Sequence, residues 1–153
     1  GCGCGLVAVA LARWGAHVVA ADMSPAALAL AEANASRNLG TAVARQLVFR
    51  RLDWSDAAAC AQLRHEFGPF DAIVVSDGVL ALPPSGPMWH TAGLAEDMAS
   101  PPGPLLDATR ELGSGGADVI LTVADRAGDV TETARALLDR RKWLGVGSLP
   151  PDA

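Results

Sequence analysis

Three glycines at alternate positions open the sequence and give its first chemical signal. Gly1, Gly3 and Gly5 have the spacing G-x-G-x-G and come directly before a run of helix-forming residues. In such a loop, backbone N–H groups and the helix terminus can approach a ligand closely. Asp22 lies 17 residues after Gly5, at the end of the next apolar run, where a carboxylate can bind ribose hydroxyls. This pattern predicts a nucleotide-cofactor site, and a glycine-rich turn near a solvated aspartate is the alternative.

The elements that must position these residues alternate between helix and strand. Strands are predicted at 17–21, 46–52, 70–76 and 117–124, and helices at 6–14, 24–38, 56–67, 104–112 and 131–141. Ser24 and Pro25 have the residue types that begin a helix, and Gly40 is expected to supply the conformation that ends it. Six of the ten prolines fall within 83–104, which predicts a long loop with a short helix near 94–98. Residues 143–146 could start another strand.

This alternation predicts an α/β fold with a parallel sheet, flanking helices and right-handed crossovers. The predicted strands are expected to be buried. A ligand crevice is expected at the carboxyl ends of such strands. Besides the glycine loop and Asp22, that edge receives two further pairs of residues, which are Asp53 with Trp54 and Ser76 with Asp77. We therefore expect four separate chain segments to meet at one site.

Composition and charge exclude several classes of function. The chain has 153 residues and a formal net charge of −5, with no cluster of lysines and arginines, so neither nucleic acid nor an anionic membrane surface is an expected partner. No apolar run approaches the ~20 residues of a membrane-spanning helix. There is also no secretory leader pattern, so a cytoplasmic protein is expected, with the nucleus as an alternative.

Cysteine and tryptophan usage gives weaker signals. Cys2 and Cys4 are spaced C-x-C, which is not a metal-binding spacing, and no second Cys/His pair completes a zinc set, so no metal is predicted. We interpret these two cysteines and Cys60 as small packing residues. Trp14 and Trp143 are interpreted as packing residues too, because no motif surrounds them.

Several motifs together resemble methyltransferase family 16, the group of seven-strand protein-lysine methyltransferases that use S-adenosylmethionine (SAM). The resemblance covers about residues 1–126 in matching order and spacing. It rests on the glycine loop, the strand ending at Asp22, Asn34 with the segment 37–39, the triplet 52–54, the strand 70–77 and the triplet 124–126. The Leu-Asp-Trp triplet and the Ser-Asp strand end are more specific than the glycines. The resemblance implies a Rossmann-like SAM-dependent methyltransferase.

The resemblance also implies roles for individual residues. The backbone of Gly1, Cys2 and Gly3 would contact the methionine portion of SAM, with Gly5 in the same loop, and Asp22 would hold the ribose hydroxyls. Trp54 would lie against adenine, because an indole face is a suitable platform for a flat purine. Asp53 would accept a hydrogen bond from the adenine amine, and Ser76 would also lie at the cofactor.

On the substrate side, the resemblance implies that Asp77 faces the amine of a lysine in a protein substrate. Family members close this strand with an acid-x-x-Tyr element, whereas this chain has Leu80 at the tyrosine position and contains no tyrosine. A methyltransferase-fold protein that binds SAM or a partner without transfer is therefore the alternative. A nicotinamide-dependent oxidoreductase is disfavoured by the glycine spacing and by the absence of a Tyr-x-x-x-Lys pair.

We expect residues 1–153 to form a single, partial SAM-dependent methyltransferase domain. Family members place a central strand immediately before the glycine loop, and that strand lies outside this sequence, as does most of the final antiparallel pair. Unpaired backbone groups at a sheet centre cost about 1–3 kcal/mol each. The chain as given is therefore expected to fold poorly, and upstream residues are expected to rescue it.

Overall fold

The computed structural model describes residues 1–76 and 102–122, and helices and strands alternate along them. The helices are α1 (Leu6–Arg13), α2 (Pro25–Asn38), α3 (Thr41–Ala44), α4 (Ala57–Phe67) and α5 (Pro102–Leu112). The strands are β1 (Val18–Asp22), β2 (Leu47–Arg51), β3 (Ala72–Ser76) and β4 (Asp118–Thr122). The predicted order of elements is confirmed over these residues, and α3 is an additional helix that the sequence patterns did not indicate.

The strands pair in parallel, as predicted. β1 pairs with β2, with Asp22 opposite Arg51, and β3 pairs with β4, with Ser76 opposite Thr122. Each pair therefore brings its carboxyl ends to a common edge. Within the described residues the strands form two separate two-stranded sheets, whereas the sequence suggested one sheet.

One side of the β1–β2 sheet is covered by α1 and α2 through small side chains. The buried cluster consists of Ala8, Ala12, Ala20, Ala35 and Leu47. Because alanine has no side chain beyond Cβ, the helices approach the sheet closely. The alanine-rich composition of the first third of the chain thus has a packing role.

The opposite side is covered by α4 and α5, which contact each other along their lengths. Leu52, Cys60, Leu63 and Ala108 form the buried cluster there, with Val19, Ala21 and Trp54 of the β1–β2 side packed against it. Leu105 on α5 is 2% exposed and contacts Trp54, Val75 and Leu121. Trp54 therefore contacts both the buried cluster of α4 and α5 and the group around Leu105. Through these contacts the α4–α5 layer joins the two sheets.

Local sequence signals explain where two of the helices begin. The Ser24 hydroxyl accepts a hydrogen bond from the Ala27 N–H at 3.3 Å, and the Asp56 carboxylate accepts one from the Ala59 N–H at 2.9 Å, so both are N-caps. The expected role of Gly40 is wrong. α2 ends at Asn38, its C-cap Leu39 is already extended with φ −115°, and Gly40 has no positive φ. The extended backbone at Leu39 ends the helix, so no left-handed residue is needed.

Two expectations about burial are also wrong. β3 and β4 alternate between exposed and half-buried residues rather than being buried, and Ile120 is 52% exposed, because α5 covers only the face that carries Val75 and Leu121. Trp14 is 83% exposed and is not a packing residue, since it follows the last turn of α1. The predicted elements at 94–98, 131–141 and 143–146 lie outside the described residues.

Candidate functional site

The glycine loop is a tight turn that leads into α1. Gly3 and Gly5 have φ values of 52° and 82°, in the left-handed region that glycine adopts without a Cβ penalty. The Gly5 N–H donates to the Cys2 carbonyl at 2.9 Å, and the Cys2 N–H donates to the Ala21 carbonyl at 2.8 Å. The loop therefore begins against β1 and turns back over it.

Gly3 and Gly5 both have a positive φ, but the space around them differs. A Cβ on Gly5 would lie 2.9 Å from the Ala31 Cβ, so this residue is required both by its φ and by the close approach of α2. A Cβ on Gly3 would meet nothing within 4 Å. The space next to Gly3 is open, which leaves its backbone accessible to a ligand.

Asp22 connects the glycine loop to the start of α2. The Gly3 N–H donates to Oδ2 and the Ser24 N–H donates to Oδ1, each at 2.9 Å. Asp22 is 9% exposed and lies at the last position of β1. A carboxylate has about four acceptor positions. Asp22 therefore keeps acceptor capacity for a further donor such as a hydroxyl group.

Trp54 lies beside the first residue of the glycine loop. A Cβ on Gly1 would be 3.0 Å from Cζ2 of the indole ring, so the ring and the loop are in contact distance. Trp54 is half-buried and packs on Leu105. The structure thus brings Gly1, Gly3, Asp22 and Trp54 together, as the sequence predicted for the strand ends.

Asp53 is exposed next to Trp54. Its Oδ1 accepts hydrogen bonds from the Ser55 hydroxyl at 2.7 Å and the Ser55 N–H at 2.9 Å. These two bonds, the hydroxyl first, hold the pKa of Asp53 below its ordinary value. The side chain is therefore an ionised acceptor whose Oδ2 makes no hydrogen bond to the described part of the chain.

The remaining predicted site residues are less closely connected. Ser76 is the last residue of β3 and is exposed, and its hydroxyl makes no hydrogen bond to the described residues. Asp77 and Leu80 lie outside the described residues. The proximity of Ser76 to the loop thus stays a prediction, and so does the role of Asp77.

The cysteines differ in their surroundings. Cys60 is fully buried in the α4–α5 cluster, Cys2 packs against the α1–α2 cluster, and Cys4 is exposed, so the expectation of a packing role fails for Cys4. Burial raises the pKa of the Cys2 thiol, and the Asp22 charge raises it further. Within 1–76 and 102–122, no group of His, Cys, Asp or Glu side chains is arranged to hold a metal ion.

Two contacts near the site had not been predicted. The Asn34 side-chain N–H donates to the Cys4 carbonyl at 2.9 Å, from α2 to the glycine loop. The Arg51 Nε–H donates to the Met23 carbonyl at 3.3 Å and so ties β2 to the residue after Asp22. The position of Asn34 on the helix after Asp22 was visible in the sequence, but a side-chain bond to a loop carbonyl has no sequence signature.

The described site has three features of the Rossmann-like α/β fold of nucleotide-cofactor enzymes. These are a glycine turn, a helix that begins where the turn ends, and an aspartate at the end of the next strand. A family profile described as "Methyltransferase domain" matches residues 1–92, which include the glycine loop, Asp22 and Trp54. The chain belongs to this family and is a methyltransferase. A comparison with curated proteins found no match. Among the described residues, no helix is long and apolar enough to cross a membrane.

Proposed function

We propose that this methyltransferase binds SAM at the glycine loop and transfers its methyl group to a lysine side chain of a protein. The observation that supports the cofactor most strongly is the position of Asp22, a nearly buried carboxylate that is bonded to Gly3 and still has acceptor capacity. When bound, SAM supplies a methyl group on a sulfonium, so the chain's own residues have to bind and align the reactants.

The described residues fit such a cofactor. The open space next to Gly3 would receive its amino-acid portion, and Asp22 would accept the ribose hydroxyls. Adenine would lie against the accessible part of Trp54, where stacking contributes about 0.5–1.5 kcal/mol beyond area burial. The ionised Asp53 would accept a hydrogen bond from the adenine amine.

The lysine substrate is supported by the resemblance to methyltransferase family 16, through the triplet Leu52-Asp53-Trp54 and the pair Ser76-Asp77. β3 ends at Ser76, so Asp77 follows at the carboxyl end of that strand. There a carboxylate would orient the amine, which must lose its proton before attack because a lysine has a pKa of about 10.4. We further propose that residues 1–153 belong to one methyltransferase domain with Asp77 and Ser76 at its active site.

Calorimetric titration with S-adenosylhomocysteine, the product form of the cofactor, tests the proposed site. We expect the wild-type chain to bind and Asp22→Asn to bind at least about tenfold more weakly, because hydrogen bonds to a charged acceptor contribute about 1.5–3 kcal/mol. Asp118→Asn is the matched control, since Asp118 is an exposed aspartate at the first position of β4. Equal binding by the wild type and Asp22→Asn would contradict this site.

Methyl transfer to lysine is tested with isotope-labelled SAM and a library of lysine-containing peptides. We expect the wild-type chain to label the peptide lysines. Matched peptides with arginine in place of lysine should receive no label, and the Asp77→Asn variant should label neither kind of peptide. The chain contains one lysine, Lys142, so self-methylation is easily recognised. Cofactor binding without transfer to any peptide would instead favour a binding protein, the interpretation suggested by Leu80.

A further inference from the structure

α2 contacts the glycine loop at two points on one of its faces. Ala31 is fully buried against Gly5, and the Asn34 side-chain N–H donates to the Cys4 carbonyl at 2.9 Å. Residues three apart on a helix lie on the same side. The same helix face therefore touches two neighbouring residues of the loop.

A loop with this sequence does not hold one conformation by itself. Glycine adopts positive and negative φ about equally readily, and this loop has glycines at three of its five positions. A rotation of the peptide unit between Cys4 and Gly5 would move both the Cys4 carbonyl and the Gly5 N–H. In the observed conformation that N–H bonds to the Cys2 carbonyl, and the carbonyl bonds to Asn34.

The loop is thus fixed from two directions by side chains. Asp22 accepts the Gly3 N–H from the β1 side, and Asn34 holds the Cys4 carbonyl from the α2 side. Asp22 is also the proposed acceptor of the ribose hydroxyls, whereas no contact between the cofactor and Asn34 is proposed. The contribution of Asn34 would come from fixing the loop before the ligand arrives, which lowers the entropy cost of binding.

We infer that Asn34 is a positioning residue for the cofactor, which holds the Cys4–Gly5 peptide so that the loop is preformed for binding. This inference rests on the proposed binding of SAM. It assigns to α2 a function in the site that Asp22, Trp54 and the glycines do not supply.

The test compares Asn34→Leu with a matched variant of the same helix, Asn38→Leu. Leucine has the same number and branching of side-chain heavy atoms as asparagine but donates no hydrogen bond, and it has the higher helix propensity, so α2 is not weakened. Asn38 also donates a side-chain hydrogen bond, to the Asn34 carbonyl at 2.7 Å, but makes no side-chain hydrogen bond to the loop. S-adenosylhomocysteine affinity is measured by calorimetry, and amide hydrogen exchange in the ligand-free chain is measured by NMR.

We expect Asn34→Leu to bind S-adenosylhomocysteine about threefold to tenfold more weakly, the range that one hydrogen bond gives. Exchange of the Gly3 and Gly5 amides should become faster in this variant, whereas that of Gly68, whose N–H bonds to the Arg64 carbonyl in α4, should not change. Asn38→Leu should leave both the affinity and the loop amides unchanged.

Unchanged affinity in Asn34→Leu, with normal binding by the wild type, would overturn the inference and leave the proposed function intact. Faster exchange at Gly68 as well would indicate a general loss of stability and would also overturn it, as would weaker binding with unchanged loop exchange. A folded wild-type chain that does not bind the ligand would instead overturn the proposed function, and the inference with it.

Discussion

At the scale of single residues, Asp22 has two functions that its sequence position alone did not indicate. Its oxygens bond to the Gly3 and Ser24 N–H groups, so it holds the glycine loop and the turn before α2, in addition to its proposed bond to a ligand. The sequence correctly predicted that the first strand ends at the acidic residue Asp22. It could not predict the bond to Gly3, because that bond depends on how the loop turns back over the strand.

A pH-dependent prediction concerns Asp53 and Ser55. Ser55→Ala removes the hydroxyl bond to Oδ1 and keeps the backbone bond, so we expect the pKa of Asp53 to rise part of the way to its ordinary value. The pKa of Asp53 in the folded chain is lower than its ordinary value. These two bonds therefore stabilise the folded state above the ordinary pKa, and this stabilisation is lost as the pH falls through the lowered pKa.

NMR titration of the Asp53 carboxyl carbon measures this shift. Ser36→Ala is the control, because the Ser36 hydroxyl donates to the Glu32 carbonyl on α2 and does not touch Asp53. The same Asp53 pKa in the wild type and Ser55→Ala would contradict the assigned cause.

At the scale of elements, glycines at two element junctions are required for different reasons. Gly5 precedes α1 and contacts Ala31, whereas Gly116 lies between α5 and β4 with φ 98° and has nothing within 4 Å of its missing Cβ. A left-handed residue other than glycine costs roughly 1–2 kcal/mol. Gly116→Ala should lose about that much stability, and Gly5→Ala about 1–3 kcal/mol more because its Cβ would also overlap Ala31. If urea unfolding gave equal losses of stability for Gly116→Ala and Gly5→Ala, the close contact between Gly5 and Ala31 would be excluded.

Leu105 of the α4–α5 layer packs on Trp54, which follows β2, and on Val75 and Leu121 of the β3–β4 sheet. Leu105→Ala should therefore lower the free energy of unfolding by about 2–5 kcal/mol, the range for a buried leucine. Leu30→Ala on α2 is the control, because Leu30 is half-exposed and its loss should cost within about 0.5 kcal/mol. Urea unfolding of the two variants measures the difference, and similar midpoints would show that Leu105 does not carry this contact.

At the scale of the whole molecule, the sequence predicted what depends on local signals. The order of helices and strands, the cap at Ser24 and the meeting of the ends of β1 and β2 follow from periodicity, residue type and the geometry of parallel strands. What it missed depends on tertiary packing. Trp14 is exposed because nothing described packs on the end of α1, and the outer face of β4 is exposed because α5 covers only the other face.

The site is also a property of the whole molecule, because its parts come from separate segments. Gly3, Asp22 and Trp54 are distant in the sequence and meet only when β1, β2 and the α4–α5 layer are assembled. A ligand that binds there should therefore affect all of these segments at once, which a local binding event on one loop would not do.

NMR of the isotope-labelled chain during addition of S-adenosylhomocysteine measures this directly. The largest shifts are expected together at the Gly3 and Gly5 amides, the Asp22 amide and the Trp54 indole N–H, with little change at Gly116, far along the chain after α5. Shifts confined to residues outside this set, or none in a folded chain, would contradict a cofactor site formed by the glycine loop, Asp22 and Trp54.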